Sequence, residues 1–382
     1  MTMVISGNWL TRPATQRVMA ALTDAGYSAF FVGGCVRDAL LGLEVSDIDI
    51  ATDARPDVAM KVFKTASLRV IPTGIDHGTL TVMSGDIPHE VTTFRKDVAT
   101  DGRRATVAFA TDMTADARRR DFTMNALYAD AAGNVHDPLG GMDDLRAGRV
   151  RFIDDANQRI AEDYLRALRF FRFYAWYGHP DEGLDADGLA AVAESLDGLD
   201  GLSRERVGAE MLRLLSAPNP APAVASMAQS GVLARILPGA SAAVLTVLVH
   251  LEDGREPGPM RRLAAIGGQE PGKRLRLSRA QAKQLQTLEQ GIGQMQTTAA
   301  LGYRFGFDMA VDIALLRAAS TCVPMPENFA ADAARGASQI FPVRADDLIP
   351  AYQGPALGEK LAQLEQRWVD SDFALSRDQL LG

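Results

Sequence analysis

Cysteine is nearly absent: Cys35 and Cys322 are the two in 382 residues. Two thiols cannot build a disulfide framework, so a reducing compartment is the expected setting. Histidine is scarce as well, with five, and none stands at the Cys/His spacing of a zinc site. No apolar run reaches the roughly 18 residues of a membrane span. The opening MTMVISGNWLTRPATQ lacks the charged start and long apolar stretch of a secretory signal, so a cytoplasmic location is expected. Positive charge is not in surplus: the net charge is −8, which excludes a uniformly basic nucleic-acid coat but allows a local patch. No fixed-period repeat or low-complexity tract interrupts the chain. Apolar residues make up 47%, enough for a core. At about one domain per 150 residues, the length implies two or three domains.

The first 150 residues mix strand and helix signals. Pro13 to Ala25 reads as a helix closed by Gly26. Ser28 to Val32 is a short apolar strand ending at Gly33-Gly34, and Val36 to Leu41 a short helix stopped by Gly42. Ser46 to Ala51 alternates polar and apolar like a half-buried strand. Pro56 to Thr65 reads as a helix, and Thr79 to Met83 and Glu90 to Phe94 as strands. Arg95 to Thr106 is polar and aperiodic, so a mobile loop is expected there. From Ile153 onward Ala, Leu and Arg dominate between Pro and Gly breaks. Helices are expected over Asn157 to Tyr177, Leu189 to Leu196, Ser203 to Leu215, Pro222 to Gln229, Ala280 to Gln290 and Gly358 to Trp368. The expected architecture is an α+β head with a small mixed sheet, followed by an elongated all-α region.

Chemistry concentrates in the head. Asp47 and Asp49 sit two apart on a strand, so both carboxylates share one face while Ile48 and Ile50 turn to the core. Such a pair suits Mg²⁺, a hard cation that takes one or two carboxylates and completes its shell with phosphate oxygens. Glu90, at the start of another strand, is the candidate third carboxylate. By itself an Asp-x-Asp is equally the wet face of an edge strand. Upstream, Gly33-Gly34-Cys35-Val36-Arg37-Asp38 runs from a strand into a helix. Glycines let backbone N–H groups approach an oxyanion, a helix start favours negative charge, and Arg37 adds a cation one turn in. Together these describe a triphosphate cradle beside a metal site. Cys35 has no activating neighbour and reads as a packing residue.

At this point the motifs become specific. VGGCVRDALLG followed by SDIDIATDARPD resembles the catalytic signature of the class II tRNA nucleotidyltransferase and poly(A) polymerase family. RRDFTMNAL at 119–127, DPLGG at 137–141, EDYLR at 162–166 and LSRER at 202–206 resemble its later motifs, in the family's order. The match covers about residues 28 to 215. The resemblance implies a nucleotidyltransferase head at 1–150, a helical nucleotide-recognition neck at 151–217, and a helical body and tail at 218–382. It also implies template-independent addition or repair of the tRNA 3′ CCA end from CTP and ATP, with Mg²⁺. Alternatives are a poly(A) polymerase, an A-adding enzyme, or, more remotely, a non-catalytic RNA-binding protein. A phosphohydrolase is disfavoured, because His136-Asp137 lies inside DPLGG and His250 stands alone.

The resemblance assigns roles to further residues. Arg120 meets the nucleotide, and Asp121 and Asn125 shape its sugar pocket. Asp163 and Arg166 read the base edge, supported by Arg169 and Arg172. The base logic is physical: cytosine and adenine offer an amino group beside an unprotonated ring nitrogen, which a carboxylate and an arginine can match. Uracil and guanine would leave both charges mispaired. On the helix expected from Asn157, steps of three put Asp163, Arg166 and Arg169 on one side, with Arg172 drifting away from Asp163. DPLGG and Ser203-Arg204-Glu205-Arg206 read as structural, a turn and a helix cap. A flexible loop at Asp97 to Arg104 is linked in the family to adding the final A. For tRNA contact, residues 261–283 carry Arg261, Arg262, Lys273, Arg274, Arg276, Arg279 and Lys283 against one acid, Glu270. That charge suits an acceptor stem. No obligate protein partner is implied.

Overall fold

The computed structural model describes residues 3–75, 78–100 and 105–382. It forms two compact units, Met1–Glu210 with Gln229–Ile236, and Met211–Ala228 with Leu237–Gly382.

The first unit is built on strands β1 (Ala29–Val32), β2 (Asp49–Thr52), β3 (Arg69–Gly74), β4 (Thr79–Ser84), β5 (Ile87–Thr93), β6 (Arg95–Thr100), β7 (Ala105–Phe109), β8 (Tyr128–Ala129) and β9 (Val135–His136). Seven of them form one mixed sheet in the order β3-β4-β5-β2-β1-β8-β9. β1 is antiparallel to β2 and β8, whereas β2 pairs in parallel with β5, with Asp49 opposite Glu90. Helices Pro13–Asp24 and Pro56–Thr65 cover the sheet, each opening on a proline whose missing N–H costs nothing in a first turn. They bury Val18, Met19, Leu22, Ala59 and Phe63 against sheet residues such as Leu80, Val82 and Val91. Each large side chain so buried contributes about 1.5–3 kcal/mol of transfer free energy. Alternation along β5 turns His89 inward, with Nε2 3.1 Å from Thr15 Oγ1, and leaves Glu90 exposed on the other face.

Two expectations for this unit fail. The segment Arg95 to Thr106, read as a loop, contains β6 and the start of β7, paired antiparallel from Arg95–Phe109 to Thr100–Ala105. β6 (RKDVAT) is too polar to declare itself as a strand, and it becomes one by pairing along the backbone of β7. Residues 101–104, which hold Asp101, Gly102 and Arg103 of the expected flexible loop, lie outside the described residues. The helix expected over Asn157 to Tyr177 is two helices, Ala156–Glu162 and Leu165–Tyr177, because Asp163 is extended (φ −153°, ψ 104°). Asp163 caps the second helix by accepting the Leu165 N–H at 3.1 Å. The Tyr164 ring occupies the space that a side chain at Gly198 would fill.

An aromatic cluster joins the sheet to these helices. Phe122 lies 4.9 Å from Phe152 and 4.8 Å from Phe173, and Phe152 stacks on Phe170 at 5.3 Å. The DPLGG turn is structural, as expected. Asp137 accepts the Gly141 and Met142 N–H groups at 2.8 and 2.9 Å, starting the helix Gly141–Ala147.

The second unit is helical, matching the expected region. Arg279–Gly293 opens on a Ser278–Gln281 capping box. Pro355–Asp370 carries Trp368 into a cluster with Tyr303, Phe341 and Phe373. The helix Phe307–Thr321 was not foreseen, because it is apolar on nearly every side and shows no amphipathic stripe.

One glycine sets a steric limit. A Cβ at Gly141 would stand 2.1 Å from the Thr123 carbonyl oxygen, a backbone atom that cannot turn away. Gly141→Ala is therefore expected to destabilise the fold by about 2–3 kcal/mol in denaturant titration. An unchanged midpoint would mean the turn has room to shift.

Candidate functional site

The turn after β1 sets the geometry. Gly33 has φ +72°, its N–H donates to the Leu127 carbonyl at 3.1 Å, and a Cβ there would lie 3.3 Å from Arg120 Nη1. The strand residue before it and the helix after it are buried, so the turn is held from both sides. Cys35 packs beneath, with burial, and then Asp49, pushing its thiol up to about 12, so it serves packing rather than nucleophilic chemistry.

Beside this turn stand the acidic residues. Asp49 opens β2 half-buried, Glu90 faces it from β5, and Asp47 lies in the exposed lead-in. Ile48 and Ile50 are buried, as the alternation required. Burial first, then Glu90 and Asp47, push the Asp49 carboxyl up to about 6 against the pull of Arg120. Among the described residues, no salt bridge reaches Asp47, Asp49 or Glu90. This is the opposite of the neighbouring charges, nearly all of which are paired.

Arg120 donates to Asp116 at 3.1 Å and to the Tyr128 hydroxyl at 3.3 Å, and Tyr128 donates to Asp116 at 2.8 Å. Burial works against ionised Asp116, but Arg120, Arg119 and Tyr128 hold its carboxyl below the usual range. Asp121 is 5% exposed and salt-bridged to Arg169 at 2.5 Å. Burial opposes its charge, yet Arg169 and Asn125 bring its pKa down to about 2. Asn125 donates to Asp121 at 3.2 Å and accepts from Arg37 at 2.9 Å. Arg37, Asn125, Asp121 and Arg169 thus form one hydrogen-bonded chain, and Gly33 lies beside Arg120 and Asn125.

Several expected residues stand differently. Arg37, expected to offer a cation to phosphate, is buried with its donors committed to Asp38, Asn125 and Tyr177. Arg166 pairs with Glu162 at 2.6 Å and donates to the Arg159 and Arg119 carbonyls. Asp163 pairs with Arg206 at 2.6 Å. The helix break at Asp163 removes the single-face spacing expected of Asp163, Arg166 and Arg169. Arg172 pairs with Glu210 at 2.5 Å. Asp116, Tyr128 and Tyr177 were not singled out from the sequence. The i+3 and i+4 spacing of Asp116 to Arg119 and Arg120 was a signal available in the sequence, whereas Tyr128 and Tyr177 gain their meaning from partners on other elements.

The basic segment divides. Arg261 and Arg262 are not surface cations: Arg261 pairs with Glu252 at 2.7 Å and Asp312 at 2.5 Å. Arg262 pairs with Glu252 at 2.7 Å and donates to the Leu215, Ala217 and Pro218 carbonyls. Both are structural, since a guanidinium spent on buried acceptors has nothing left for phosphate. Lys273 is exposed beside Glu270, Arg274 is half-buried, and Arg276, Arg279 and Lys283 are exposed.

Known proteins resemble this chain in both sequence and fold. A family model described as the poly(A) polymerase head domain matches residues 29–151. Another, described as a probable RNA and SrmB-binding site of polymerase A, matches residues 184–244. The crystal structure of the Bacillus stearothermophilus CCA-adding enzyme in complex with CTP superposes with a TM-score of 0.76 at 30% identity, covering 94% of each chain. The chain belongs to the class II tRNA nucleotidyltransferase and poly(A) polymerase family. The human mitochondrial CCA tRNA nucleotidyltransferase 1 is 44% identical over 48% of this chain and 42% of its own length. The Oceanobacillus iheyensis CCA-adding enzyme is 42% identical over 52% of this chain and 48% of its own. The chain spans about half the length of the curated relatives it matches.

This family is metal-dependent, and the donor set can be tested against that. The described residues contain no cluster of three metal-ligating side chains. Asp47, which accepts the Ser46 hydroxyl at 3.1 Å, and Asp49 supply two hard-oxygen carboxylates free of salt bridges among the described residues, and their mutual repulsion is what a cation would relieve. Two carboxylates with coordination positions left for phosphate fit such an ion. Among the described residues, no helix is long and apolar enough to cross a membrane.

The raised Asp49 pKa has a consequence for stability. A carboxyl whose folded pKa exceeds its unfolded one stabilises the fold only while protonated. That contribution is complete below about pH 4 and is lost as pH rises through about 6. Asp49→Asn is therefore expected to stabilise the metal-free protein at pH 8 by about 1–2 kcal/mol, discounted for partial exposure. The gain should vanish near pH 4 in denaturant melts. An equal gain at both pH values would show that its source is not the charge.

Proposed function

We propose that this chain builds or repairs the 3′ CCA end of tRNA from CTP and ATP. The observation that carries this reading is the unpaired Asp47, Asp49 and Glu90 group beside the Gly33-Gly34 turn. It occurs in a chain aligned over 94% of its length with a CTP-bound CCA-adding enzyme. Domains divide as head 1–150, neck 151–217, and body and tail 218–382. The tRNA, CTP and ATP are the partners, the cell interior the expected location, and Mg²⁺ the metal. Held by Asp47 and Asp49, Mg²⁺ would supply charge neutralisation at the triphosphate.

The chain's own residues do the remainder. The tRNA 3′ hydroxyl forms a bond to the α-phosphorus while the bond to the β-phosphate oxygen breaks, releasing pyrophosphate. Glu90 takes the hydroxyl proton. Arg120, held by Asp116 and Tyr128, presents a fixed cation beside the Gly33 turn. Asp121 and Asn125 shape the sugar side. Asp163 and Arg166 read the base edge, supported by Arg169 and Arg172. For this the base's amino group replaces Arg206 on Asp163, and its ring nitrogen shares Arg166 with Glu162. Alignment of this kind, rather than covalent chemistry, accounts for catalysis. Arg279 and Lys283, one turn apart and exposed, lead the cations proposed to meet tRNA, with Lys273, Arg274 and Arg276.

The deciding experiment offers purified protein three tRNA transcripts, ending before CCA, after C or after CC, with Mg²⁺ and CTP, ATP or both. Completion to CCA on all three is expected. A single A on the CC-ending transcript alone would indicate an A-adding enzyme. Long A tails would indicate a poly(A) polymerase, and no product would overturn the reading. Asp49→Ala should lower incorporation by at least about a thousandfold. Asp163→Ala should loosen discrimination against UTP by roughly 10- to 100-fold, and unchanged selectivity would remove its base-reading role. Reversing Arg279 and Lys283 to Glu should weaken tRNA binding and flatten its salt slope by about two. An unaltered slope would make them ordinary solvated charges.

A further inference from the structure

Arg37 has a surrounding that a phosphate-binding arginine would not need. Its Nε and Nη2 donate to Asp38 at 2.9 and 3.1 Å, and Nη1 donates to Asn125 Oδ1 at 2.9 Å. Nη2 also donates to the Tyr177 hydroxyl at 2.7 Å. The guanidinium lies 4.0 Å from the Tyr177 ring centre and 5.1 Å from that of Phe173. Tyr177 therefore holds Arg37 twice, by its ring face and by its oxygen.

The consequence runs through Asn125. With Oδ1 taken by Arg37, its Nδ2 is turned to Asp121 Oδ1 at 3.2 Å. The other Asp121 oxygen accepts Arg169 Nε at 2.6 Å. The path Tyr177, Arg37, Asn125, Asp121, Arg169 leaves the helix Leu165–Tyr177 at its last residue. It crosses the head and returns to the same helix about two turns earlier. A closed circuit of this kind fixes the orientation of every member.

We propose that Tyr177 is a positioning residue for the nucleotide pocket, acting through Arg37 to set the Asn125 amide and the Asp121–Arg169 pair. The role rests on the nucleotidyltransferase reading above, in which Asn125, Asp121 and Arg169 border the bound nucleotide. Tyr177 itself touches no substrate. Its influence is orientational, so it falls on nucleotide affinity more than on fold stability.

The test is calorimetric binding of CTP and of ATP, each with Mg²⁺ and without tRNA, to the full chain and to Tyr177→Phe, Tyr177→Leu, Asn125→Ala and the Tyr177→Leu/Asn125→Ala pair. Tyr177→Phe keeps the ring and loses the oxygen; it should weaken both nucleotides by about threefold, with its melting temperature within about 2 °C of the parent. Tyr177→Leu should weaken them by about tenfold. Added to Asn125→Ala, it should weaken binding by less than about twofold more, because both changes break one circuit. Parental affinity in Tyr177→Leu, or fully multiplicative effects in the pair, would overturn the role. If Tyr177→Leu does not fold, parental affinity in Tyr177→Phe overturns it alone. Incorporation into tRNA is assayed separately. A parent that binds both nucleotides but extends no tRNA would overturn the CCA reading while the affinities still decide the role of Tyr177.

Discussion

Asp121 carries a full charge into an interior where 5% of its surface meets water, and Arg169 makes that charge tolerable from the helix Leu165–Tyr177. Neither residue is stable there alone, because a buried ion without its partner costs several kcal/mol. The pair therefore fixes where the helix Leu165–Tyr177 stands against the segment leading into β8. The aromatic contacts of Phe122, Phe152, Phe170 and Phe173 fill the space around it. Apolar packing supplies most of the free energy and tolerates sliding. The ion pair and its hydrogen bonds tolerate little, so they set the register.

Charge is distributed unevenly for a reason. Arg37, Arg120, Arg166 and Arg169 each have a carboxylate within the first unit. Asp47, Asp49 and Glu90 have none among the described residues, and Asp49 shows the strain in its raised pKa. A fold that neutralises its surrounding charges while leaving Asp49 under the repulsion of Glu90 and Asp47 keeps an electrostatic preference for a cation at that place. Stability is given up there, and the rigid surroundings sustain it.

The basic stretch at 261–283 shows how burial overrides composition. Arg261 and Arg262 are drawn inward by Glu252 and Asp312, and Arg262 holds three backbone carbonyls. Arg279 and Lys283 project to solvent from the first two turns of the next long helix. A count of charges along the chain treats these residues alike. Their chemistry differs because one pair found buried acceptors and the other did not.

Much of the molecule was legible in its sequence. Glycine pairs, Asp-x-Asp and the order of five motifs pointed to the head, its strands and the acidic group. Alternation alone placed Ile48 and Ile50 in the core and Asp49 on the opposite face. These are local consequences of backbone geometry, and a chain of any length carries them. What tertiary structure decided was partnership. The pairing of Asp163 with Arg206 at the helix break, the inward turn of Arg261 and Arg262, and the hold of Tyr177 on Arg37 join residues far apart in sequence, and the hairpin of β6 and β7, though local, exists only as a pair of strands. Whether a polar side chain meets water, a ligand or another side chain depends on which elements converge on it. That convergence comes from packing the whole chain, so no window of sequence contains it.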